Sequence, residues 1–179
     1  MERVAFSIFN RKRDALSVKK GDIIFVQGNG IVSKIIRVFD KGKFSHVAIA
    51  MSDSQVIEAD VDTKVAIRTL NMDKYRFVEI VNLGLTFKQR EEVVKSALKM
   101  VGTKYDYLQL LWYALRKIFG FRGRNRLNNP KYVICSEMVF RALNEAGILE
   151  DLGIDESYED GIDLTPNELY DLVKYISKK

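Results

Sequence analysis

Cys135 and His46 each occur once in this 179-residue chain, and between them they hold what nucleophilic thiol chemistry requires. Such chemistry needs a thiolate, a base to move its proton and a group to orient the base. Cys135 follows the apolar run Tyr132, Val133 and Ile134. After it, Val139, Ala142, Leu143 and Ala146 recur at helical spacing, and Gly147 supplies a stop. This places Cys135 at or just before a helix N-terminus. There the positive end of the helix dipole favours a thiolate and can bring a cysteine pKa from about 8.5 down to roughly 3.5–7.5. A lone cysteine among apolar residues is more commonly a small buried hydrophobe. The surroundings of the histidine therefore decide between packing and chemistry.

His46 opens a strand pattern, Ser45 to Met51, and a second strand, Gln55 to Ala59, follows after Ser52-Asp53-Ser54. Alternation places His46, Ala48 and Ala50 on one face, with Val47, Ile49 and Met51 on the other. A three-residue hairpin loop pairs 51 with 55, 48 with 58 and 46 with 60. Glu58 and Asp60 then share the face of His46. Asp60 stands directly opposite, and Glu58 is a diagonal neighbour at about 7–8 Å, within reach of a long side chain. Both remain candidates for the orienting carboxylate.

The elements that must hold these residues fall into two blocks. Gly21 to Val26, the two strands above, Val65 to Leu70 and Arg76 to Val81 give about five strands, as an antiparallel meander or small barrel. Ile31 to Phe39 suggests a short helix or irregular turn. Thr86 and Gln89 have capping-box spacing ahead of the stripe Val93, Val94, Ala97, Leu98 and Val101. A further helix spans Leu108 to Phe119, and Thr165-Pro166-Asn167-Glu168 starts a last one that runs to about Ile176. The fold class is α+β: an antiparallel sheet packed by three to four helices, with Cys135 facing His46 across the sheet–helix interface. Residues 1–20 read as an N-terminal leader packed on a single catalytic domain, 21–179.

Composition removes several alternatives. One cysteine excludes an internal disulfide framework and a cysteine-based zinc site, and one histidine excludes a multi-histidine metal site. No metal or organic cofactor is implied. No run reaches the ~18 uncharged apolar residues of a membrane span, and the N-terminus lacks a secretory pattern, so the reading is a soluble, cytoplasmic protein. Charge is uneven. Residues 116–131 carry Arg116, Lys117, Arg122, Arg124, Arg126 and Lys131 without an acid, whereas 145–163 carry eight acids without a base. Such blocks are ordinarily solvated faces. The functional alternative is a basic rim that draws an anionic substrate, or a non-catalytic module docking on anionic surfaces. Phe119 and Phe121 are too few stacking aromatics to favour nucleic acid.

Five segments in order, Gly21-Asp22-Ile23-Ile24-Phe25, Ser45-His46-Val47-Ala48-Ile49, Val56-Ile57-Glu58-Ala59, Gly102-Thr103-Lys104-Tyr105-Asp106-Tyr107 and Cys135-Ser136-Glu137, resemble the permuted papain-like family. These are the YiiX-type relatives of the NlpC-type cell-wall peptidases. The Asp163-Leu164-Thr165-Pro166 step is also similar, and the resemblance covers about Gly21 to Tyr170. In this family the histidine strand precedes the cysteine helix. The resemblance implies Cys135 as nucleophile, His46 as general base and acid, and Glu58 as the orienting group. It further implies that Tyr105, Asp106 and Tyr107 line the substrate cleft. The implied activity is a cysteine peptidase or amidase acting on cell-wall-type peptides. A related branch implies fatty-acyl ester or amide hydrolysis, or acyl transfer, as the alternative.

Overall fold

The computed structural model describes residues 17–60, 64–107, 132–151, 153 and 164–178, the side chains of 31, 32 and 35 apart. Most of the leader, the expected helix from Leu108 to Phe119, the basic segment 116–131 and most of the acidic loop lie outside the described residues.

Five strands form one antiparallel sheet: β1 (Ile23–Gln27), β2 (His46–Ala50), β3 (Gln55–Ala59), β4 (Val65–Thr69) and β5 (Phe77–Val81), in the order β4-β3-β2-β1-β5. It is an open sheet rather than a simple meander, because β5 returns to the far edge and pairs with β1. The described helices are α1 (Ile31–Asp40), α2 (Phe87–Lys99), α3 (Cys135–Glu145), α4 (Ile148–Asp151) and α5 (Pro166–Ile176). The sequence pattern gave no sign of α4, a single turn that restarts the chain after Gly147, whose φ is 74°. Nor did it signal the parallel pair β6 (Lys104–Tyr105) and β7 (Tyr132–Val133). Two residues per strand are too short a run to leave a period.

Both faces of the sheet are buried. On the first, Phe25, Val47, Ile49, Ile57 and Ala59 pack with Val93 and Ala97 of α2, Met138 and Leu143 of α3, and Leu169 and Val173 of α5. On the second, Ile24, Val26, Ala48, Ala50 and Val56 pack with Val18 and with Met72, Tyr75 and Ile80. Near-continuous apolar runs such as Ile23 to Val26 follow from this double burial.

The helix termini obey the capping chemistry read from the sequence. The Thr86 side chain accepts from the Gln89 backbone, Gln89 reaches back to Thr86, and Thr165 and Glu168 repeat the exchange. Helix α2 is tied to the start of β1 by Arg90. Its guanidinium donates to Asp22 at 2.9 Å, to the Lys20 carbonyl at 2.6 Å and to the Leu85 carbonyl at 3.0 Å. Asp22 is 1% exposed, so its charge is tolerable only beside that cation. Arg90→Ala is expected to cost about 3–5 kcal/mol, the penalty for stranding a buried carboxylate, measured by denaturant unfolding.

Candidate active site

The ladder between β2 and β3 is the local feature that makes the site. It pairs only Ile49 with Ile57 and Ala50 with Val56. The β1–β2 ladder nevertheless continues to His46, and the β3–β4 ladder to Ala59. Strands β2 and β3 therefore stop pairing just where His46 and Glu58 emerge, and a side-chain bond joins them there instead. His46 Nε2 lies 2.8 Å from Glu58 Oε2. The register extrapolated from the hairpin is right as far as the ladder goes. It fails beyond Ile49, so Asp60 has no paired position opposite His46, and Glu58 is the carboxylate bonded to the ring. Asp60 instead contributes its charge to the surroundings of Tyr75 and Tyr105.

His46 pairs with Val26 and so belongs to the second face by alternation. Cys135 belongs to the core of the first. The two come together at the fork between β2 and β3, where Cys135 acts on the electrostatics of the His46 ring. With Nε2 taken by Glu58, Nδ1 is the nitrogen that can serve the thiol. Burial works to lower the pKa of His46, but Cys135 and Glu58 together outweigh it and hold the ring well above its ordinary 6.5. Glu58 is the converse. Burial works to raise its pKa, whereas the bond to His46 and the charges of His46, Arg68 and Lys74 bring it below its usual value. Arg68 Nε stands 3.4 Å from the second carboxylate oxygen. The arrangement is a row of thiol, imidazole, carboxylate and guanidinium.

Cys135 is the first residue of α3, after Ile134 in extended conformation at the N-cap. The backbone N–H groups of that first turn have no intrahelical acceptor, so they point their dipoles at whatever approaches the sulfur. Glu137 sits in the same turn, fully buried. Its carboxyl pairs with Arg141 one turn on and faces the Ile134 backbone N–H. Burial lifts its pKa to about 7, with Arg141 and Ile134 opposing and Asp106 adding.

Tyr105 and Asp106 are buried, and Tyr107 is half-exposed. The parallel pairing of Tyr105 with Val133, and the Asp106 N–H bond to the Val133 carbonyl at 3.2 Å, set this step against the strand that leads into Cys135. The ring of Tyr105 meets that of Tyr107 edge-on at 5.4 Å. Burial pushes the Tyr105 hydroxyl far above its ordinary pKa, and the charges of Cys135 and Asp60 push it further.

Residues 17–151 match the model of the permuted papain-like amidase enzymes, the YaeF/YiiX or C92 family. The chain belongs to this family. Its members are cysteine peptidases and amidases, so this C92 member is an enzyme of that class. The crystal structure of metalloprotein yiiX from Escherichia coli O157:H7 is similar at 19% identity and a TM-score of 0.50. The similarity covers 87% of this chain and 93% of that one; at this identity it speaks to the fold alone. No curated protein matches the chain. Among the described residues, no helix is long and apolar enough to cross a membrane.

Sequence reasoning passed over Arg68 and Glu137. The β3–β4 pairing of Val56 with Arg68 puts that guanidinium on the face of Glu58, a placement that strand alternation alone would have offered. Glu137 carries only the weaker signal of an acid in a first helical turn.

Two titrations follow. The folded-state pKa of Glu137 is raised from 4.5 to about 7. Its favourable contribution is therefore complete below pH 4.5 and is lost as pH climbs toward about 7. Glu137→Gln is expected to flatten stability over that window, as read by urea unfolding at stepped pH. Glu58→Gln removes the compensating charge beside His46. The sole imidazole resonance is then expected to titrate closer to 6.5 than in the unmodified protein.

Proposed function

We propose that this chain is a thiol amidase in which Cys135 is the nucleophile, His46 the general base and acid, and Glu58 the residue that orients and charges His46. The observation that supports this most is the only histidine, bonded to Glu58 at 2.8 Å and held above its ordinary pKa in part by the only cysteine, which opens a helix.

The chemistry runs in two halves. Cys135 sulfur attacks the substrate carbonyl carbon, and the electron pair of the C=O bond moves to oxygen. In this reading the Cys135 N–H at the head of α3 receives that oxyanion. As the C–N bond breaks, the proton held on His46 passes to the leaving nitrogen, and a thioester remains. Water then gives its proton to His46 and attacks the thioester carbonyl. The C–S bond breaks, the acid departs, and the thiolate is left facing a protonated ring. The raised pKa of His46 suits this cycle, because the ring must hold a proton before the first bond is cut. Glu58 compensates the ring's charge and fixes Nε2, which keeps Nδ1 turned to the sulfur. Tyr105, Asp106 and Tyr107 form the adjoining wall of the cleft.

The substrate class we assign, from the family resemblance, is a cell-wall-type peptide, cut at an amide next to a γ-linked or N-terminal acidic residue. A cytoplasmic setting, where a free thiol stays reduced, suits the chemistry. The Escherichia coli neighbour is described as a metalloprotein. Among the described residues here, no group of three His, Cys, Asp and Glu side chains is arranged to hold a metal ion, and no step above uses one.

Turnover of γ-glutamyl-type amides is the test. Cys135→Ala is expected to abolish it. His46→Ala is expected to lower kcat by about 10²–10⁴-fold, the usual contribution of a positioned acid–base group. Undiminished turnover in Cys135→Ala would exclude the mechanism.

A further inference from the structure

Helix α5 lies beyond the segment that the family model matches, and no step of the mechanism uses it. Its first turn nevertheless touches the supports of both reacting groups. Asn167 forms three hydrogen bonds with its side-chain amide. The carbonyl accepts the Phe44 backbone N–H at 2.8 Å, and the nitrogen donates to the Phe44 carbonyl at 2.9 Å and also to Asp40. Asn167 thus grips Phe44 by both backbone groups, much as a neighbouring strand would, two residues before His46. Asp40 in turn accepts from the Thr165 hydroxyl at 2.9 Å.

On the other side, the Ser136 hydroxyl donates to the Leu164 carbonyl at 2.6 Å. Ser136 is the residue after Cys135 and is fully buried. One stretch of four residues, Leu164 to Asn167, therefore holds the approach to the histidine strand and the first turn of the cysteine helix.

The turn between α1 and β2 is shaped for this grip. Lys41 takes a left-handed conformation with φ 50°, and a Cβ at Gly42 would overlap the Asn167 amide. The left-handed Lys41 caps α1, and the absence of a side chain at Gly42 admits the close approach of Asn167 to the backbone of Phe44.

We propose that Asn167 and the Ser136–Leu164 bond are the positioning elements that set His46 against Cys135. In this role Asn167 acts through backbone, without contact with substrate. The assignment of roles to the pair rests on the proposed function, but the positioning itself does not require turnover. A side-chain amide that uses its oxygen and both N–H bonds is also intolerant of isosteric change. Asn167→Asp keeps the shape while turning the Phe44 carbonyl and Asp40 against a second acceptor.

The readout is the His46 imidazole, the chain's only one, followed by NMR titration in the folded protein. The raised pKa of this ring depends on its contacts with Cys135 and Glu58. In Asn167→Ala and Asn167→Asp it is expected to fall by about one unit, a tenfold loss of proton affinity, with kcat reduced about tenfold or more and KM little changed. If these variants fold with a lower melting temperature but titrate as the unmodified protein does, Asn167 is structural only and the proposal fails. Should neither variant fold, Ser136→Ala, which removes a single bond, decides by the same titration: a downward shift supports the proposal and an unchanged curve overturns it. Absence of amide turnover in the unmodified protein would count against the proposed function alone, because the titration does not depend on it.

Discussion

A largely buried imidazole is unstable as a charged group unless something nearby compensates it, and here Cys135 and the 2.8 Å bond from Glu58 to His46 supply that compensation. Desolvation opposes both ionised forms; Cys135 and Glu58 reverse the balance at the ring, and His46, Arg68 and Lys74 reverse it at the carboxylate. The bond also stands where the backbone ladder between β2 and β3 has ended. A full ladder would close the strands over this point and leave no fork for the sulfur. The site therefore depends on an interruption of regular structure, stabilised by the charges placed in it.

The remaining elements can be understood as ways of keeping that fork open at a fixed width. Strand β1 holds β2 along its whole length, and β4 holds β3, so the two separating strands are each supported on their outer sides. Helix α3 brings its N-terminus to the gap while packing its apolar face on the first side of the sheet. The β6–β7 pair sets Tyr105 and Asp106 against the residues that lead into Cys135. Arg90 anchors α2 to the head of β1 on the same side. A rigid frame of this kind is what preorganised chemistry demands, since small errors in placement cost large factors in rate.

Much of this was legible beforehand because it depends on local rules. Capping at Thr86 and Thr165, the stop at Gly147 and the 49–57 register all follow from propensity and period. The choice of carboxylate did not follow. It turned on whether pairing continues past Ile49, and strand splay is set by what packs into the gap rather than by the strands' own residues. The placement of β5 beside β1 was hidden for a similar reason, since its apolar pattern suits either edge. Asn167 was visible only as a helix-start residue. Its grip on Phe44 spans 123 positions, and no local pattern encodes a contact of that range.

The position of α5 has a consequence in time. During synthesis the chain emerges from its N-terminal end, so His46 and Cys135 both appear before Leu164 to Asn167. A thiol in the nascent chain is held by α3 alone, with the strand of His46 not yet gripped at Phe44. With Asn167 positioning Phe44 as proposed, the pair comes into its final register when the last helix docks. Assembly of the proposed site is in this sense vectorial: a partly made chain carries Cys135, His46 and Glu58 and still lacks the tie from Asn167 to Phe44.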